Sequence, residues 1–157
     1  MDATHTPRMK IAELAPEAYR HMLGLERFLS NSSLPFGIKE LVKLRASQLN
    51  GCAYCVDMHS HDLKVAGESD ERLYSVVAWR EAPFFTAAER AALALTEEAT
   101  RLGPDGVSEP VWAEAQRHFD EPTLAALVVA IATINAWNRF GVTLRMVAGS
   151  HRTAAVG

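Results

Sequence analysis

The sequence predicts an all-α protein. Three observations carry that expectation: apolar residues recur at helical spacing along most of the chain, helix caps and stops punctuate it at short intervals, and alternating strand patterns with turn dipeptides are missing. The 157 residues suffice for one domain with its own core, so residues 1–157 are expected to form a single unit, and 48% hydrophobic residues exclude a low-complexity chain.

The elements follow in order. Pro16 suits the first turn of a helix running to about Leu29. Asn31, Ser32 and Ser33, with Pro35 and Gly37, read as a connector. A second helix is expected from Ile38 to Leu49, stopped by Asn50 and Gly51, and a third from Cys52 to about Ala66, stopped by Gly67. Ser69 or Asp70 caps a fourth that reaches Arg80, and Pro83 ends that region. Thr86-Ala87-Ala88-Glu89 is a capping box opening a fifth helix to about Arg101. Gly103-Pro104-Asp105-Gly106 reads as a turn. Ser108, with Pro110, starts a sixth helix to Phe119; Asp120, with Pro122, starts a seventh that runs to about Phe140 before Gly141.

That seventh helix is apolar around most of its circumference, through Leu124, Leu127, Val128, Val129, Ile131, Ile134 and Trp137. Such a helix must be covered on all sides, as a core element or at a subunit interface, so an oligomer is expected. Its most apolar stretch, residues 123–137, falls short of the ~20 residues a span needs and is interrupted by Thr133 and Asn135, which argues for a buried helix and no membrane partner. The first 20 residues contain no apolar h-region, so the protein reads as cytoplasmic. With 16 Lys+Arg against 19 Asp+Glu and no basic run, nothing marks a nucleic-acid partner.

The 2 cysteines stand together in Cys52-Ala53-Tyr54-Cys55. A bond between them closes too small a loop to restrain the unfolded chain, so the pair points to chemistry. At 100° per residue, Cys52, Cys55, Val56, His59, Leu63 and Ala66 share about 100° of the third helix. Two thiols and an imidazole therefore face inward together, with Cys55 and His59 one turn apart. The helix start just before Cys52 supplies free N–H groups and the positive end of the dipole, which favour a thiolate. Buried cysteines packed as small hydrophobes are the simplest alternative. Zinc is the sharper rival, since the two thiols and His59 supply three ligands, but no second cysteine pair exists and His61 lies about 200° away around the helix. A thioredoxin-like assignment lacks the βαβ context that motif requires.

Glu40, Cys52, Cys55 and His59 form Glu-x11-Cys-x2-Cys-x3-His. The run from Glu40 to Cys52, Glu-Leu-Val-Lys-Leu-Arg-Ala-Ser-Gln-Leu-Asn-Gly-Cys, resembles the alkylhydroperoxidase D (AhpD)-like core of the carboxymuconolactone decarboxylase family. Residues 78–86 and 134–139 are similar to stretches of its short, single-core members. The resemblance implies an AhpD-like fold of about seven helices with its redox core near residues 35–100, assembled as a homotrimer or homohexamer. It also implies a thiol peroxidase with Cys55 as the peroxidatic thiol, Cys52 as the resolving one, His59 as base and Glu40 in the proton relay. The partners the resemblance implies are a peroxide and a dithiol reductant, a lipoyl-type or other protein dithiol, with no metal and no other cofactor. Tyr54 stands where the best-studied members have a histidine, and a phenol is a poor base at neutral pH, which implies a shorter relay or a slower peroxidase.

Periodicity treats some of these positions differently. Glu40 points away from the stripe of Ile38, Leu41, Val42, Ala46 and Leu49 and reads as a solvated carboxylate, whereas Arg45 falls inside that stripe and needs a carboxylate partner. Trp79, Pro83, Phe84 and Phe85 read as the packed end of a helix or, with Tyr54, as an apolar wall near the dithiol. A lyase of the carboxymuconolactone decarboxylase type and a non-catalytic dithiol redox sensor are the alternative functions.

Overall fold

The computed structural model describes residues 6–153. Among them are nine α-helices and no strand: α1 (Ile11–Leu14), α2 (Pro16–Ser30), α3 (Phe36–Asn50), α4 (Ala53–Val65), α5 (Asp70–Ser75), α6 (Ala87–Thr100), α7 (Glu109–His118), α8 (Glu121–Leu144) and α9 (Ser150–Thr153). The all-α expectation holds. The caps do what their chemistry dictates. Gly51 ends α3 in the left-handed region at φ 67°, Ser69 Oγ accepts from the Arg72 amide, and Asp120 accepts from Thr123. Thr86 and Glu89 close the reciprocal capping box of α6.

Helix α3 lies at the centre, packed on α4, α6 and α8, while α8 also touches α2, α4, α6 and α7. One buried cluster joins α2, α3, α6, α7 and α8 around Leu29, Val42, Leu95, Leu127 and Ile131. A second joins Leu41, Leu44, Leu63 and Leu93 to the segment after α5. A third, smaller cluster holds Ala46, Ile134 and both cysteines, with Tyr54 and Trp137 against it. By length and composition α8 could cross a membrane, and at 24 residues it exceeds the stretch marked in the sequence; its neighbours instead make it the core helix of this fold.

Three expectations change. The fourth predicted helix stops at Ser75 and continues as a 3-10 turn, Val76–Ala78, because the Trp79 indole N–H turns inward to donate to Glu97. Ser108 flanks α7 without capping it; its amide and hydroxyl both donate to Glu98. Gly141 does not end α8, which runs on to Leu144 and closes at Arg145 in the left-handed region. The glycine answers a packing demand, since a Cβ built there would lie 2.5 Å from Cys52 Sγ and 3.5 Å from Cys55 Sγ.

Candidate active site

The turn at Gly51 brings Cys52 to the N-cap of α4, with its amide donating to Ser47 O at 3.0 Å and its carbonyl accepting from Val56 at 2.9 Å. Cys55 follows in the first turn. Both thiols are buried and reduced, with sulfurs 2.7 Å apart. They titrate as a pair. A hydrogen bond from Cys55 holds the Cys52 thiol down at about 7 against the opposing effect of burial, aided by the Cys55 and Tyr54 amides and the Asn138 side chain. Cys55 moves up, because its bond to Cys52, burial and the Cys52 charge all disfavour a second thiolate.

His59, one turn beyond Cys55, is buried and bonds through Nδ1 to Glu40 Oε2 at 2.6 Å. Burial would raise the Glu40 carboxyl, but the His59 bond and charge, with Lys43 and Lys39, hold it below its usual value. The solvated reading of Glu40 is thus corrected: α3 is covered on several sides, so its non-apolar face is interior too. Arg45 finds its carboxylate in Glu97, at 2.8 Å.

Sequence reasoning missed a polar network beneath the sulfurs. Asn138 Nδ2 donates to Ser47 Oγ at 3.0 Å, and Asn50 Nδ2 donates to Asn138 Oδ1 and to Asn135 Oδ1. A polar side chain on the buried stripe of an otherwise apolar helix was the available signal for Asn138. Lys43, also buried, donates to Glu26, which accepts from the Trp137 indole as well.

Two cavities reach the dithiol. One, of about 330 Å³, is lined by Cys55, His59, Glu40, Tyr54, Trp137 and residues of α2. The other, of about 280 Å³, is lined by Cys52, Tyr54, Gly141 and the segment from Arg145 to Ala148. Tyr54 lines both cavities. Trp79, Phe84 and Phe85 do not line either cavity: Trp79 and Phe85 pack into the cluster around Leu44 and Leu93, and Phe84 is exposed. Arginines cover two of these rings, with Arg80 on Trp79 and Arg72 on Phe85. Among the described residues, the donor atoms close enough to share a cation belong to Glu40, His59 and Asp62, within 4.8 Å of one another, and include neither thiol. Lys39 and Lys43 act on the same Glu40 carboxylate and oppose a cation there.

This fold and dithiol site define a class. The profile of the carboxymuconolactone decarboxylase family matches residues 14–98, and the chain belongs to that family. It is 37% identical over 137 residues to the uncharacterized protein YdfG of Bacillus subtilis (strain 168), covering 87% of this chain and 93% of YdfG. The crystal structure of ATU0492 from Agrobacterium tumefaciens, a protein of unknown function assigned provisionally to antioxidant defence as AhpD, superposes with a TM-score of 0.87 at 34% identity, covering 91% of this chain and 98% of that one. An alkylhydroperoxidase AhpD core from Ralstonia eutropha JMP134, an uncharacterized peroxidase-related protein, shares the fold with a TM-score of 0.77 at 19% identity, covering 89% and 75% of the two chains.

Proposed function

We propose that the protein is a thiol-dependent peroxidase that cycles between a dithiol and a Cys52–Cys55 disulfide. The observation that carries this reading is the buried pair of sulfurs 2.7 Å apart, one of which opens onto the cavity that also holds the His59–Glu40 couple. Charge and access fall on different sulfurs. The resting thiolate is favoured on Cys52, whereas Cys55 faces the larger cavity. The first proton of the pair passes to His59, oriented by Glu40, and the remaining proton shifts from Cys55 to Cys52 as Cys55 attacks.

Cys55 sulfur bonds to the terminal oxygen of the peroxide, the O–O bond breaks, and the departing alkoxide takes its proton from His59 to leave as an alcohol. Cys55 is then a sulfenic acid. Cys52 attacks that sulfur, water leaves, and the disulfide forms. An external dithiol, of the lipoyl class or borne on a protein, attacks Cys52 through the second cavity and is itself oxidised to a disulfide as both cysteines return to thiols. A cytoplasmic setting suits a dithiol that must be re-reduced on each turnover.

Mass spectrometry after one equivalent of organic hydroperoxide tests the roles. The disulfide is expected in the wild type and a trappable sulfenic acid on Cys55 in Cys52→Ser. A sulfenic acid on Cys52 in Cys55→Ser, with none on Cys55 in Cys52→Ser, reverses the assignment. A single stoichiometric oxidation without turnover in excess dithiol sinks the enzyme and leaves a redox sensor.

A further inference from the structure

The cavity in front of Cys55 holds a cation that takes no direct part in the proposed peroxidase cycle. Lys39 precedes Glu40 on α3, lines that cavity and is only 9% exposed. Two other charged groups of the wall have partners of their own, Lys43 and Glu40. Lys43 sits on Glu26, and Glu40 and Asp62 stand beside His59. Among the described residues no hydrogen-bond acceptor meets the Lys39 ammonium, which acts on the Glu40 carboxylate at longer range and contacts the Phe36 ring, 5.2 Å away at its centroid. With its stem buried and no hydrogen-bond acceptor against its ammonium, Lys39 is placed at the cavity to form a charge-assisted hydrogen bond with an anion that enters. The remaining wall is largely apolar, from Leu23, Met58, Trp137 and Met146.

We propose that the substrate of this site is an organic hydroperoxide that carries a carboxylate. Its anion binds Lys39, its hydrocarbon lies along Trp137, Met58 and Leu23, and its peroxide group meets Cys55. The inference rests on the peroxidase reading and deepens it by naming the substrate class.

Steady-state rates with para-carboxy cumene hydroperoxide and with its methyl ester test it. The wild type is expected to prefer the acid in kcat/KM by about tenfold, the scale of one hydrogen bond to a charged group. In Lys39→Met that preference falls to about one through KM, and Lys39→Arg retains it. No preference in the wild type, or the same preference in Lys39→Met, overturns the inference. Calorimetry with the product alcohol, para-carboxylated, separates the two claims. If no peroxide is turned over but this alcohol binds the wild type more tightly than Lys39→Met, the peroxidase reading fails and the anion site stands. If turnover is fast with no acid preference, the reverse holds.

Discussion

Cys52 owes its low proton affinity to groups contributed by two helices: the Cys55 thiol and the amides of Tyr54 and Cys55 from the start of α4, and Asn138 from α8. Because the thiolate is the reactive form, alkylation of the native protein should accelerate as pH rises through about 7. Asn138→Ala should move that midpoint upward, since it removes a donor to the charged form; a pH series with a thiolate-absorbance readout checks both. Cys52, Cys55 and His59 were legible in the sequence because they lie within two turns of one helix, where spacing alone sets their common face. Periodicity placed neither Glu40, which only the family resemblance assigned to the relay, nor Asn138, because their partners lie 19 and 91 residues away in sequence. Only packing of α3 against its neighbours makes those distances short.

At the scale of elements, α4 meets α8 through sulfur against bare backbone at Gly141. Gly141→Ala should therefore destabilise the fold by about 1–3 kcal/mol, the usual cost of overpacking, even though alanine is the better helix former. Thermal melts measure that loss, and a slower disulfide formation in the same variant would show that the added methyl displaces Cys52. The helix boundaries set by local chemistry, at Pro16, Gly51, Ser69, Thr86 and Asp120, were readable in advance. Those set by distant groups were not. Trp79 leaves a regular helix for Glu97, and Gly141 looks like a stop signal until the cysteines are placed beside it.

Across the whole molecule, buried carboxylates tie the helices together. Burial opposes the charge on Glu40, Glu89 and Glu97, but His59, Arg72 and the Arg80, Trp79 and Arg45 donors respectively outweigh it and hold all three below the usual value. A lowered folded-state pKa contributes stability that is present above the unfolded value of 4.5 and lost as pH falls through the folded values. Melting temperature should thus drop as pH falls below about 4.5, and the drop should be shallower in Glu40→Gln, which has no carboxylate to protonate there. Assembly belongs to this scale too. Leu25 and Phe28 of α2 and Val128 of α8 are exposed apolar side chains, and a homotrimer or homohexamer is expected by light scattering; a monomer at all concentrations would remove that expectation.

The chain contains 3 tryptophans, and they are divided among the three buried clusters: Trp112 by the largest, Trp79 by the second, and Trp137 against the cysteines. Disulfides quench nearby indoles by accepting an excited electron. On the proposed dithiol–disulfide cycle, Trp137 becomes a built-in optical gauge of the oxidation state of the pair, so that intrinsic fluorescence should follow disulfide formation without a label, and Trp137→Phe should abolish the signal while leaving the other two indoles emitting.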